Sequence, residues 1–359
     1  MKKIHLWLLV VMSIFVTTLT SNAEVHYRIV IGDLSYDLDD DYHTATVTPH
    51  ESTAIETVII PSYVSYKGQT YEVNMIEDMA FYEHYNLLSV TIPEGVKQIG
   101  SDCFGFCKNL TSVSLPEGLK QLSGGLFEHC YNLSSITIPK DVTVIPPFCF
   151  YACNLTSISF PEGLKKIAEY AFYACYSLTS ISIPKNVTEI GDWCFGDCYN
   201  LTSLSLPEGL TKIGNGAFYD CYNLTSLSLP EGLDEIGDSA FFGCYKLNRV
   251  TANNPVPAII TNSSFPLDVD SKTEFLYVPK GSVEAYESSD WKYYFEKILE
   301  IDSAEVEEIG DCPTGINYSE PYEVFTLAGE RVHADFDSLS PGIYIIRQGN
   351  LTEKLSVSN

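Results

Sequence analysis

Beyond its first residues the sequence has no apolar run approaching the ~20 residues that a membrane-spanning helix needs, which excludes such a helix from the body of the chain. Positive charge is scarce: 21 Lys and Arg stand against 47 Asp and Glu, a formal net charge of −26. No basic patch is segregated from that excess, so phosphate backbones and anionic lipid headgroups would be repelled and no nucleic-acid partner is expected. The plain reading of the acidity is solubility. Catalytic groupings are also missing. His5, His26, His43, His50, His84, His129 and His333 are scattered along the chain, and none stands with a Ser or Cys nucleophile and an orienting acid. There is no phosphate-binding glycine loop and no sound metal-ligand spacing. No enzymatic activity, cofactor or metal is expected.

The N-terminus carries Lys2 and Lys3, an apolar run from Ile4 to Val16, and the small-residue ending Ser21-Asn22-Ala23. That order is the order of a secretory signal peptide. Cleavage near Ala23 would remove only those two charges and take the formal −26 to −28. No cysteine follows the cleavage point, which argues against a lipid anchor. The expectation is an exported chain without a transmembrane segment, secreted or held at the cell surface in association with an outer membrane, and monomeric.

The sequence is periodic. Frames reading like Leu-Thr-Ser-Leu-Ser-Leu-Pro-Glu-Gly-Leu open at Leu110, Leu133, Leu155, Leu178, Leu201 and Leu224, with looser frames at Leu87 and Leu247. Each step is 23 residues, except that one residue is missing between Cys153 and Leu155. Two further columns repeat in step: Phe81, Phe104, Phe127, Phe150, Phe172, Phe195, Phe218 and Phe241, and, three residues later, Cys107, Cys130, Cys153, Cys175, Cys198, Cys221 and Cys244, with His84 in the first slot. A period near 23 with Leu-x-x-Leu-x-Leu phasing predicts a leucine-rich-repeat solenoid, a right-handed coil with a parallel β-sheet on one face and short helical turns. Leu110, Val113 and Leu115 point inward from a short strand while Thr111, Ser112 and Ser114 point outward. Pro116-Glu117-Gly118 ends the strand, Leu119 and Leu122 make a second apolar side, and a helical turn brings Phe127 and Cys130 inward. No single coil can bury these groups; stacking does.

The expected organisation is a signal peptide over 1–23, a β-rich N-terminal cap and first irregular coil over 24–86, the solenoid over 87–247, a C-terminal cap over 248–301, an acidic linker over 302–312 and a small β module over 313–359. In the N-terminal cap, Tyr27–Val30 and Thr44–Thr48 read as paired strands around an acidic turn Asp37–Asp41, and Tyr66-Lys67-Gly68-Gln69-Thr70 reads as a hairpin. Asp37, Asp39 and Asp41 have the spacing that opens a calcium loop, but Tyr42 and Thr48 replace the Gly and Glu it requires, so a solvated turn is the better reading.

Candidate binding residues follow from the outward positions. One row is Ser112, Ser135, Ser157, Ser180, Ser203 and Ser226; beside it run Ser114, Thr137, Ser159, Ser182, Ser205 and Ser228. Parallel strands lie ~4.7–4.9 Å apart, so these hydroxyls make either a platform for a partner chain or a glycan, or a merely soluble sheet face. Tyr131, Tyr176, Tyr199, Tyr222 and Tyr245 follow the Cys column and line one rim, as contact residues or as stacked coil-to-coil packing. Glu117, Lys140, Glu162, Lys185 and Glu208 alternate in sign and read as a ladder of weak surface pairs. Of the 11 cysteines, seven take the core column, and Cys103, Cys149 and Cys194 share a slot with alanines, which points to small buried thiols; a few bridges between adjacent coils stay open, and Cys312 is expected to be exposed. Asn109-Leu110-Thr111 and its repeats match the glycosylation triplet but read as a by-product of a buried Asn ladder.

The coil Ile-Pro-x-x-Val-x-x-Ile-Gly-x-x-x-Phe-x-x-Cys, clearest over 183–198, with the opening strand and the segment 277–282, resembles the BspA-like leucine-rich-repeat proteins of anaerobic Gram-negative bacteria. The segments 324–332, 339–346 and 353–355 resemble a short form of the C-terminal sorting domain of type IX secretion. The first resemblance implies a non-enzymatic surface protein, similar to adhesins for host matrix proteins or other cells; a glycan-capture module and a structural spacer are the rival readings.

Overall fold

A strand side, a set of tight turns and a second short strand make up each coil, and all three are dictated by where the large apolar groups fall. The computed structural model describes residues 27–49, 54–261, 263–266 and 273–301, together with the backbone of strands at 323–326, 331–332, 342–348 and 351–357. The proposed leader, the linker with Cys312, and His5, His26, His50 and His333 lie outside the described residues. Two compact units are present, residues up to Ile301 and residues Asp302–Asn359. Among the described residues no helix is long and apolar enough to cross a membrane.

The first unit is a leucine-rich-repeat solenoid. In each coil the opening Leu is fully buried (Leu110, Leu133, Leu155, Leu178, Leu201 and Leu224), and the residues after it alternate outward and inward. The Phe column is its spine. Successive rings from Phe81 to Phe241 stack nearly parallel with centroids 5.2–5.7 Å apart. Phe265 continues the column 5.2 Å beyond Phe241, a ninth member hidden in the sequence because the step lengthens to 24 residues there.

A second parallel sheet runs along the solenoid where only an apolar side was expected. Val144–Ile145, Lys166–Ile167, Glu189–Ile190, Lys212–Ile213, Glu235–Ile236 and Ile259–Ile260 pair in that order. Each contributes one buried Ile and one outward residue.

The turns that carry Phe are not helical. Around Phe195, the amides of Trp193, Phe195 and Asp197 donate to the next coil, to the carbonyls of Asn215, Ala217 and Tyr219, at 2.7–2.8 Å. The intervening amides of Gly196 and Cys198 close tight turns onto Trp193 and Phe195. This zigzag needs left-handed backbone two residues either side of the Phe, with φ 55° at Trp193 and 58° at Asp197. A helix with its side chains is ~10–12 Å wide, whereas strand stacking spaces coils at ~4.7–4.9 Å. Tandem turns that bond to the next coil meet that spacing.

In the N-terminal cap, Tyr27–Ile31 pairs with Leu34–Asp39, which in turn pairs with Thr44–Thr48. Asp37 and Asp39 therefore lie in a middle strand, and the turn is shifted to follow Asp39. The reason is local: Gly32 takes φ 63° and reverses the chain earlier, and Asp39 Oδ1 accepts from the amides of Asp41 and Tyr42, both at 2.9 Å. Strands Tyr63–Tyr66 and Gln69–Ile76 form the hairpin, with positive φ at both Lys67 and Gly68, as a two-residue turn of this hand requires. At the far end, helix Val283–Glu287 and the 3₁₀ turn Asp290–Tyr293 place Tyr286 and Trp291 over the last coil. Trp291 Nε1 donates to the Ala258 carbonyl at 2.9 Å and the Tyr286 hydroxyl to that of Asn254 at 2.7 Å. The second unit contains a four-stranded antiparallel sheet in the order Arg331–Val332, Glu323–Thr326, Gly342–Gln348, Leu351–Val357.

Candidate binding surface

The hydroxyl rows are on the surface. Ser112, Ser114, Ser135, Thr137, Ser157, Ser159, Ser180, Ser182, Ser203, Ser205, Ser226 and Ser228 are all exposed. Within the described residues, only Ser228 among them shares its hydroxyl with another side chain, accepting from Asn253 Nδ2 at 3.4 Å. The neighbouring Thr column is tied down instead: Thr111 and Thr202 donate to the carbonyls of Leu88 and Thr179 at 3.0 Å. The strand side thus presents serine hydroxyls that are free to turn toward a ligand.

This side is not one continuous sheet. Strands pair in register at Ser89↔Ser112 and Thr91↔Ser114, at Ser180↔Ser203 and Ser182↔Ser205, and at Ser226↔Arg249 and Ser228↔Thr251. Ser135, Thr137, Ser157 and Ser159 fall in coils without strand pairing. The coil from Leu133 to Leu155 is the one lacking a residue, and the second sheet runs unbroken past the gap from Val144–Ile145 to Lys166–Ile167. The shortage is therefore taken up on the strand side. At the C-terminal end the hydroxyl face gives way to Arg249, which lies over the Tyr277 ring at 4.3 Å.

The rim tyrosines Tyr131, Tyr176, Tyr199, Tyr222 and Tyr245 are all exposed. Tyr176 and Tyr199 stack at 5.3 Å, and Tyr222 meets Tyr245 edge-on at 6.0 Å. Tyr131 stands apart because the short coil lacks the rim position, Asn154 taking the ladder slot where it accepts from Ser177 Oγ; the Tyr131 hydroxyl pairs with His129 Nδ1 at 2.8 Å. Asparagines fasten the rim: Asn109, Asn200 and Asn223 donate through Nδ2 to the carbonyls of Tyr85, Tyr176 and Tyr199 at 2.8 Å. The Asn ladder exists, but Asn109, Asn132 and Asn200 are exposed rather than buried, because each reaches along the surface to the previous coil.

Two other expectations need revision. Among the described residues Glu117, Lys140, Glu162, Lys185 and Glu208 form no ion pairs; long solvated side chains gain little from pairing. The ladder pair that does form is Lys212–Glu235, 3.0 Å apart on the second sheet. The ten described cysteines are free and buried, and each column thiol donates to the Phe carbonyl of the previous coil, from Cys107 to Phe81 at 3.1 Å through Cys244 to Phe218 at 3.3 Å.

Sequence reasoning missed an aromatic ribbon on the turns. Phe148, Tyr170 and Trp193 stack in succession, and beside them Tyr151 stacks on Tyr173 and Tyr219 on Phe242. Asp197 and Asp220 stand between this ribbon and the rim. Burial, with the Asp197 carboxylate beside it, pushes the phenols of Tyr176 and Tyr199 up, and burial with Asp197 also raises Asp220. The signal was available as an aromatic column one residue after Phe, at Tyr151, Tyr173, Tyr219 and Phe242.

Solved structures with similar chains include a leucine-rich repeat protein from Bacteroides ovatus, 22% identical, covering 77% of this chain and 100% of its own, with a TM-score of 0.42. A leucine rich cell surface protein from Faecalibacterium prausnitzii is 23% identical over 78% of this chain and 96% of its own, with a TM-score of 0.39. A leucine-rich repeat protein from Eubacterium ventriosum is 18% identical over 76% and 83%, with a TM-score of 0.43. None of the curated proteins matches. The repeat itself is the diagnostic feature: six copies of the BspA type leucine rich repeat region match residues 74–153 and 143–266, more than half of the sequence. The chain belongs to the BspA type leucine-rich-repeat family.

Proposed function

We propose that this chain is an exported, non-enzymatic binding protein that works at the cell surface as an adhesin or interaction module. Its ligand, a protein of host matrix or of another cell, lies against the strand side and the tyrosine rim. The observation that carries this reading is the row of exposed serines, all but Ser228 without a side-chain partner among the described residues, set beside exposed tyrosines that the asparagine ladder holds in place. Hydroxyls adapt their donors and acceptors to a partner, and fixed Tyr rings supply contact area at small entropic cost. The N-terminal segment serves as a cleaved leader, and the C-terminal strands, with their resemblance to a sorting domain of type IX secretion, direct passage across or attachment to the outer membrane.

The test has two arms. Ser180→Glu, Ser182→Glu, Ser203→Glu and Ser205→Glu, combined in the paired patch, should abolish capture on immobilised matrix proteins while leaving the melting curve in place. Capture that survives all four changes would refute the strand-side reading, and binding confined to a glycan array would replace the protein ligand with a sugar. Cell fractionation of the full chain and of a chain ending at Ile301 tests the role given to the tail.

A further inference from the structure

The rim has a chemical bias that the hydroxyl face lacks. On either side of the stacked Tyr176 and Tyr199, the fold already seats an ammonium on a tyrosine ring. Lys108 Nζ lies 5.1 Å from the Tyr85 centroid and Lys246 Nζ lies 5.2 Å from that of Tyr222. In each case the lysine comes from the coil that follows the ring. Between these two places, at Tyr176 and Tyr199, the sequence supplies no lysine in the matching slots, which hold Tyr199 and Tyr222 or Asn200 and Asn223. What stands there is acid: Asp197 and Asp220, one coil apart on the same column.

These carboxylates form no ion pair among the described residues, although Lys212 and Glu235 pair readily elsewhere. Their backbone is held in place by the tandem turns, with φ 58° and 54° and amides bonded to the carbonyls of Tyr219 and Phe242 at 2.7 and 2.8 Å. Gly196, beside Asp197, leaves the Tyr173 ring room to lie over it; a Cβ there would meet that ring at 2.9 Å. Gly243 does the same for the Asp220 carboxylate. The result is a carboxylate pair flanked by Tyr173, Tyr176, Tyr199 and Tyr219. Burial and the mutual repulsion of the two acids raise Asp220, and burial together with Asp197 raises Tyr173. A cation at this place would offset the repulsion between the two carboxylates. Ammonium groups are attracted to aromatic faces, and a carboxylate alongside adds opposite charge.

We propose that the strip formed by Tyr173, Tyr176, Asp197, Tyr199, Tyr219 and Asp220 docks a lysine-rich segment of the partner protein, its ammonium groups taking positions like those that Lys108 and Lys246 take over Tyr85 and Tyr222. The proposal rests on the protein-binding reading above and names the chemistry of the partner. Rim aromatics then give contact area, and the acids give selectivity and faster encounter.

The test is titration of the full chain with an octalysine, an octaglutamate and a neutral Gly-Ser peptide. Octalysine should bind and the other two should not. Asp197→Asn with Asp220→Asn should weaken octalysine about tenfold or more, equivalent to about 1.4 kcal/mol. Glu94→Gln with Glu117→Gln removes the same charge from the far turn edge and should change binding less than about twofold. Equal losses in the two pairs would reduce the effect to general acidity and overturn the proposal, as would octalysine that fails to bind. Tyr199→Leu, which keeps the charge, should also weaken binding, and full retention there would overturn the aromatic part. The two readings separate cleanly: matrix capture that is lost in the strand-side glutamate variant but intact in Asp197→Asn with Asp220→Asn leaves the protein-binding reading standing and removes this one.

Discussion

Trp193 lies over Gly216, its counterpart one coil on: a Cβ built on that glycine would sit 2.6 Å from the indole. The same relation recurs where Tyr82 covers Gly105 and Tyr173 covers Gly196. Large side chains on the turns lean toward the following coil, and a glycine there gives them a floor. Gly216 also takes φ 58°, a conformation that costs an L-residue ~1–2 kcal/mol. Gly216→Ala therefore incurs both backbone strain and overpacking, the latter ~1–3 kcal/mol, and should lower stability by about 2–4 kcal/mol. Gly209→Ala is the control. Its φ is not positive and its nearest contact would be 3.4 Å, so its urea midpoint should stay close to that of the unchanged protein.

The Phe column supplies a second expectation. Phe195 is fully buried, with Phe172 and Phe218 stacked at 5.3 and 5.4 Å on its two sides. Phe195→Ala opens a cavity that the coils cannot close without losing the bonds between their turns, at a cost of ~3–5 kcal/mol. Because each coil contacts only its neighbours, the loss should divide the unfolding transition in two rather than merely shift it. A single transition at an unchanged midpoint would remove the column from its place as spine.

Much of this was legible in the sequence, for reasons that can be located. A Leu, Phe or Cys recurring every 23 residues has no other economical explanation than stacked coils, and outward Ser and Thr follow from the strand period of two. The second sheet was hidden because strands such as Lys166–Ile167 are two residues long, too short to show alternation. The tandem turns were hidden because Phe195 and Cys198, three apart, have helical spacing, while the left-handed positions at Trp193 and Asp197 are held by ordinary residues rather than glycine. The break in the strand side is visible as a missing residue at the short coil, yet nothing in the sequence says which sheet absorbs it. The acid pair on the turns escaped notice because Asp197 and Asp220 occupy a column that holds Phe106, His129, Ala152 and Ala174 in earlier coils, so no one residue type runs through it.

The thiols predict a dependence on alkaline pH. Burial pushes Cys107 and Cys175 from an ordinary value of 9.0 up to about 12, and it raises the other core thiols in the same direction. A thiol raised on folding favours the native state fully while the unfolded chain keeps its proton, below about pH 9, and that contribution is lost between pH 9 and 12 as the unfolded thiols ionise first. The urea midpoint should therefore fall steadily over that window. Native protein at pH 8 should leave the ten buried thiols unlabelled by a thiol reagent and expose them all in urea. Rapid native labelling would contradict the thiols' place in the core.

The C-terminal cap gives the last expectation. Phe265 ends the column, and Trp291, Tyr294 and Phe295 close over it with ring centroids at 5.5, 5.9 and 5.4 Å. Trp291 is 1% exposed, and its indole nitrogen satisfies the Ala258 carbonyl at the edge of the last coil. Trp291→Ala loses the largest buried ring and leaves that carbonyl without its donor, for ~3–5 kcal/mol from the cavity and a further ~1–3 kcal/mol if the carbonyl stays dry. Trp291→Phe keeps most of the packing and forfeits only the hydrogen bond. Hydrogen exchange separates the two costs. With Phe, protection should fall at the amide of Ile259 and its neighbours alone; with Ala, the loss should spread inward through the coils from Leu247 and Leu224 before it reaches Leu178. Uniform loss of protection along the whole column in Trp291→Ala would mean that the solenoid unfolds as one body, and that its cap does not act as an end.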